Sequence, residues 1–145
     1  MDINSAMIKK AINLAFSAHE GQTDKGDMAY IMHPFYIASK LNDEDEIITA
    51  LLHDTLEDSD LTKKDLINAG FNTNIVEAVD TLTRNNEDYF YYISRIKKNN
   101  LARKIKILDL KHNMDLSRLD KITSEDIKRY EKYKKAIEIL TDNKE

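Results

Sequence analysis

The chain has 145 residues, 41% of them hydrophobic and 33% charged. That is enough apolar material for one packed domain, and it excludes the charge-rich, apolar-poor class of disordered chains. With 22 basic and 26 acidic side chains the net charge is −4, so no overall positive field draws the molecule to nucleic acid or an anionic membrane, and cysteine is absent, which excludes disulfides, thiolate metal sites and a cysteine nucleophile.

Only 3 glycines and 1 proline are present, too few for many tight turns, and this favours helices. Met7, Ala11, Leu14, Ala15 and Ala18 repeat at helical spacing, which predicts a helix from Ser5 to about His19 with Gly21 just beyond its end. The stretch from Gln22 to Met32 reads as a loop, and Pro34 suits the first turn of a helix over His33 to Leu41. The acidic run Asp43 to Glu46 complements a helix N-terminus, and the apolar residues Ile47 to Leu52 that follow leave almost no polar face, so this helix belongs at the centre of the bundle.

Thr62 and Asp65 form a capping-box pattern for a short helix that closes at Gly70, and Ile75, Val76, Val79 and Leu82 mark the next. Two further segments are predicted near Asp88 to Lys98 and Leu101 to Leu119, and a last helix begins at Thr123 with a carboxylate at Asp126. The basic residues Lys128, Arg129, Lys132, Lys134 and Lys135 on that helix are interleaved with Glu131 and Glu138, and they read as a solvated face. The prediction is an all-α bundle of about eight helices in one domain, residues 1–145, with no convincing strand, repeat or linker. No stretch approaches the roughly 18 apolar residues of a membrane span, and a cytoplasmic protein is expected.

Polar residues interrupt this pattern where a core should be. Asp109 and His112 fall on the apolar stripe that Ala102, Ile105, Leu116 and Leu119 define, and an unpaired carboxylate buried there would cost several kcal/mol. Asp109 therefore needs a cation, a metal or a set of donors; Arg84 and Arg103 are the candidate salt-bridge partners, and Asn113 lies one turn on. The central helix runs directly into His53-Asp54-Thr55-Leu56-Glu57-Asp58, where continuous helix would stack His53 over Glu57 and Asp54 over Asp58. His33 starts its helix on the stripe of Ile37 and Leu41.

Taken singly, each residue has a plain reading: His33 as an interior histidine bonded to a carbonyl, His53-Asp54 as a hydrogen-bonded pair, His112 as a carboxylate-orienting ring, His19 as a loop anchor. Their co-occurrence on three helices instead fits a metal site built from facing helices. Imidazole with carboxylate suits Mn, Fe, Zn or Co better than Ca or Mg.

The residues in this order resemble a known family, the HD-domain metal-dependent phosphohydrolases, through His33, then His53-Asp54, then Asp109. The finer resemblance is to the alarmone hydrolase domain of the RelA/SpoT homologues. It is carried by Ala18-His19-Glu20-Gly21-Gln22, Tyr30-Ile31-Met32-His33-Pro34, Ala50-Leu51-Leu52-His53-Asp54-Thr55-Leu56-Glu57-Asp58, Leu82-Thr83-Arg84, and Lys106-Ile107-Leu108-Asp109 with His112-Asn113-Met114. The resemblance implies an HD-domain fold, one Mn²⁺-type ion, and hydrolysis of the 3′-pyrophosphate of guanosine 3′,5′-bis(diphosphate). It further implies His33, His53, Asp54 and Asp109 as metal ligands and Glu57 and Asp58 as the acidic pair that handles the attacking water. Lys25, Asn113 and Arg84 would contact nucleotide or phosphate.

The chain departs from the family pattern where Asp24-Lys25 replaces the usual Arg-Lys, whose arginine lies at the nucleotide base, and where Asp115-Leu116-Ser117-Arg118-Leu119 replaces Arg-Thr-Leu. Asp24 could then meet a ribose or base donor instead. The chain resembles a stand-alone hydrolase, with no alarmone synthesis expected. Two alternatives stay open: a hydrolase for another phosphorylated nucleotide, and a metal- or nucleotide-binding module without turnover. A small-molecule nucleotide is the expected partner.

Overall fold

Helix starts in this chain coincide with side chains able to cap them. Ser5, Asp43, Thr62, Asn72, Asp88, Asn99 and Thr123 each accept a hydrogen bond from a backbone N–H in the following turn. The computed structural model describes residues 1–143. Its elements are α1 (Ala6–Ala18), α2 (Met32–Ser39), α3 (Glu44–Leu52), α4 (Thr55–Asp58), α5 (Lys63–Asn68), α6 (Thr73–Leu82), α7 (Tyr89–Lys97), α8 (Asn100–Asn113), a 3-10 turn (Leu116–Arg118) and α9 (Ser124–Thr141). Among the described residues there is no strand beyond one isolated bridge, Thr23 to Ala29, so the fold is all-α.

Helix α3 is the hub. Every residue from Ile47 to Leu52 is buried, and the helix packs against α1, α2, α6 and α8. Helices α2 and α8 also touch one another, so three elements converge along one line of the core. Gly21 follows α1 at φ +78° and Gly70 follows α5 at φ +94°, backbone that a side chain would strain.

The structure differs from the predicted helices in two places. The central helix does not run on to Asp58: His53 caps α3, Asp54 turns at φ −103° and ψ 0°, and α4 starts afresh at Thr55. The cause is local competition for carbonyls, since His53 Nδ1 lies 2.6 Å from the Ala50 carbonyl oxygen and the Thr55 hydroxyl donates to that of Leu52. Nor does the seventh predicted helix reach Leu119. It stops at Asn113, and the Asp115 carboxylate accepts from Ser117 N–H to begin the 3-10 turn, so Leu116 and Leu119 leave the stripe of Asp109. The break at Asp54 brings the count to nine α-helices among the described residues, in keeping with the expected bundle of about eight.

Candidate functional site

Three buried residues from three helices meet where α2, α3 and α8 converge. His33 comes from the first turn of α2, where Pro34 removes no helical hydrogen bond; His53 caps α3; Asp109 sits one turn before the end of α8. One ligand atom from each lies within 4.8 Å of the other two, a set able to hold a metal ion. His33 Nε2 is 2.8 Å from Asp109 Oδ1, and His53 Nε2 is 3.6 Å from the same oxygen and 3.0 Å from Asp54 Oδ2.

His53 Nε2 is buried yet has no properly directed hydrogen bond, while the Nδ1 side of the ring faces the Ala50 carbonyl. A neutral His53 that donates from Nδ1 keeps a lone pair on Nε2, aimed at the carboxylates of Asp54 and Asp109. A buried nitrogen lone pair facing two carboxylates is a poor hydrogen-bonding arrangement and a good cation site, so the residues present fit a divalent metal.

The electrostatics agree. Burial disfavours charge on Asp109, but Lys106 at 3.0 Å and the two imidazoles outweigh it and hold the carboxyl well below its ordinary range. Asp54 is half-buried, which opposes its charge, but His53 beside it pulls its carboxyl down to about 2; Tyr30 donates its hydroxyl to the same oxygen that faces His53. Burial lowers His53, yet Asp54 and Asp109 raise it well above the usual imidazole value. The cluster thus favours positive charge at this point, a proton or a cation in its place.

Surrounding groups fix the orientation. His112 lies edge to edge with His33, 5° between ring planes and their Nδ1 atoms 2.7 Å apart, and its ring stacks on Tyr36. Burial, then Arg118 and His33, push His112 down to about 4, so it stays neutral beside His33. Asn113 donates to Asp109 Oδ1. His19 caps α1 and faces Gln22 Oε1, and the Gln22 amide reaches on to the Asp58 carbonyl.

The acidic pair occupies α4. Glu57 accepts from Arg84 N–H, and burial followed by the charge of Asp54 raises the carboxyls of both Glu57 and Asp58. The Arg84 guanidinium donates to the Glu87 carbonyl and lies 5.5 Å from the Tyr89 ring, on the Glu57 side of the site. On the other side a cavity of about 380 Å³ opens past Tyr30 and Asn113, and Asp24 and Lys25 line it while Arg84 does not. The Asp24 carboxylate is engaged by Gly26 N–H, Met28 N–H and the Arg118 guanidinium.

Several site residues escape sequence reasoning. Lys106 is the salt-bridge partner of Asp109, in place of Arg84 or Arg103; its spacing of three along α8 was a usable signal. Arg129, Lys132 and Tyr133 of α9 turn inward rather than forming part of a solvated face. Arg129 and Tyr133 line the cavity, and the Lys132 ammonium sits 4.6 Å from the centre of the Tyr89 ring. Among the described residues no helix is long and apolar enough to cross a membrane.

The same architecture occurs in a solved structure of a metazoan orthologue of SpoT, described as hydrolysing ppGpp, with a TM-score of 0.78 and 23% identity over 94% of this chain and 86% of that one. Curated relatives include a guanosine-3′,5′-bis(diphosphate) 3′-pyrophosphohydrolase of Vibrio cholerae, 38% identical over 53% of this chain, and a GTP pyrophosphokinase of Myxococcus xanthus, 37% identical over 54%. In both, the match spans only 11% of the relative's length. The family model described as HD domain matches residues 11–112, a span that holds His33, His53, Asp54 and Asp109 together. The chain belongs to the HD domain family.

Proposed function

We propose that the protein is a metal-dependent phosphohydrolase whose substrate is guanosine 3′,5′-bis(diphosphate), cleaved at the 3′-pyrophosphate. The observation that carries the reading is the buried donor set of His33, His53 and Asp109, with the unpartnered His53 Nε2 at its centre and two carboxylates one short turn away on α4. In this reading His33, His53, Asp54 and Asp109 hold one divalent ion; Mn²⁺ is proposed, and Fe, Zn or Co suit the same donors. Such an ion supplies Lewis acidity towards a phosphoryl oxygen and lowers the pKa of water from 15.7 towards about 7.

The protein's own groups do the rest. Glu57 and Asp58 orient the water and accept its proton as its oxygen bonds to phosphorus; the bond from phosphorus to the 3′-oxygen breaks, and that proton passes to the departing oxygen, giving a 3′-hydroxyl and free pyrophosphate. Their raised pKa values bring them closer to the working pH as bases. Arg84 and Lys132, gathered round the Tyr89 ring, place positive charge on the side of the cluster where polyphosphate negative charge needs offsetting. Asn113 and Lys25 contact the nucleotide from the cavity.

The test is Mn²⁺-dependent release of pyrophosphate from guanosine tetraphosphate by the purified protein, with Asp54→Ala alongside. Release that disappears in the variant is the expected result. Turnover of other phosphorylated nucleotides alone would keep the chemistry and replace the substrate; bound metal without turnover of any of them would make the protein a binding module and overturn the proposal.

A further inference from the structure

The two sides of the site differ in charge, and the difference assigns a role to a residue outside the cluster. The cavity is lined by three acidic side chains, Asp24, Asp115 and Asp126, and three basic ones, Lys25, Arg118 and Arg129, so its wall is formally neutral. Both guanidinium groups are tied to a carboxylate, Arg118 to Asp24 at 2.7 Å and Arg129 to Asp126 at 2.6 Å. A guanidinium already neutralised attracts a phosphate dianion weakly. It keeps a flat face and N–H donors, which suit a neutral heteroaromatic ring.

Arg118 is fixed from two directions. One terminal nitrogen donates to Asp24 and the other, at 3.0 Å, to the His112 carbonyl. Asp24 is itself immobilised, because the loop that carries it is a small hairpin: Asp24 N–H donates to the Met28 carbonyl and Tyr30 N–H to that of Gln22. Gly26 lets this loop lie against the Arg118 main chain, where a Cβ would come within 2.6 Å of the Arg118 carbonyl oxygen. Two of the five guanidinium N–H donors are engaged, so three remain for a ligand in the cavity that Arg118 lines with Leu116 and Leu119. Guanine offers two acceptors to such donors, O6 and N7, whereas adenine sets an amino group beside its N7. The cavity volume falls within the roughly 300–1,000 Å³ range of small-ligand pockets.

We propose that Arg118 is the specificity-determining residue for the base of the nucleotide, reading guanine from the neutral cavity, and that Asp24 is the positioning residue that holds it there. The inference rests on the nucleotide hydrolase reading above and names the group that selects its substrate. The guanidinium absent at position 24 comes instead from the 3-10 turn that follows α8.

The experiment is equilibrium titration of the Mn²⁺-loaded protein with guanosine 5′-diphosphate and adenosine 5′-diphosphate, which needs no turnover, in the wild type, Arg118→Lys and Asp24→Asn. Wild type should prefer the guanosine ligand at least tenfold. Arg118→Lys should weaken guanosine binding at least tenfold and bring the ratio of the two ligands close to one. Asp24→Asn should shift the ratio in the same direction by about threefold, and melting temperature and Mn²⁺ content report whether either variant has lost its fold. If Arg118→Lys weakens both ligands equally, or neither, or if wild type binds the two alike, Arg118 does not read the base. Failure of the wild type to hydrolyse any guanosine polyphosphate would sink the hydrolase reading, while the ratio of affinities would still decide the role of Arg118.

Discussion

The histidine–aspartate cluster and the cavity beside it share Tyr30 and Asn113 as a common wall, yet they are built by opposite means. The cluster takes its groups from the helices α2, α3 and α8, whose packing is set by a continuous apolar core, and it concentrates carboxylates around buried imidazoles. The cavity takes its charged groups from a hairpin loop, a 3-10 turn and the start of α9, and it cancels each guanidinium with a carboxylate. The helical part is where the chain keeps the HD pattern; the looped part is where it departs from it. In the proposed reading, chemistry that tolerates only small displacements sits on the rigid elements, and selection of the ligand sits on segments whose sequence can drift without unseating the core.

The strongest way to break this contrast is at Asp109. Asp109→Ala removes the buried carboxylate that pairs with half-buried Lys106 and with His33, leaving a cation at the edge of the core without a counter-charge. Stability should fall by about 3–5 kcal/mol, and retained Mn²⁺ should drop to background in elemental analysis. Loss of metal with full thermal stability would mean that Asp109 is not part of the packed framework, and the contrast would fail.

Glu57 divides framework from chemistry more finely. Glu57→Gln keeps the size and the contact with Arg84 N–H but abolishes the proton acceptor, so kcat should fall by about 10²- to 10⁴-fold while Mn²⁺ content holds. The sign of the pH effect follows from burial, which raises this carboxyl above its ordinary range. The working form is deprotonated, so activity is present above the raised pKa and is lost as pH falls through it. The acid limb of the wild-type profile should therefore lie above the pH at which a solvated glutamate titrates, and it should vanish from the residual activity of the variant.

What was legible in the sequence follows the same division. Helical periodicity placed His33 and Asp109 on inward faces because each shares its stripe with residues that pack, Ile37 for the first and Ala102 and Ile105 for the second, while His53 was marked only by following the apolar run of the central helix. The break at Asp54 was not legible, since it arises from the His53 ring and the Thr55 hydroxyl competing for helix carbonyls, a choice visible only once both side chains have rotamers. Arg118 and Asp24 stand 94 residues apart, and no periodicity relates them. Lys132 shows a third kind of limit: the charges interleaved around it read as a solvated face, but a lysine can lay its stem along a ring such as that of Tyr89 and face inward.

Two matched caps separate framework from cavity by a small margin. Thr62 opens α5 and Thr123 opens α9, each in a capping box with a carboxylate three residues on, Asp65 and Asp126. Replacing either threonine with alanine removes the same hydrogen bonds and should cost about 1 kcal/mol in a denaturant melt. Their functional consequences should differ. Among the described residues Asp65 accepts from its own cap alone, whereas Asp126 also accepts from Arg129 and lines the cavity, so a loosened α9 start displaces a guanidinium there. Thr123→Ala should therefore raise KM for the nucleotide two- to threefold with kcat unchanged, and Thr62→Ala should move neither. Equal kinetic effects from both would show that the first turn of α9 is only a structural cap, and that the cavity reaches no further than Arg118.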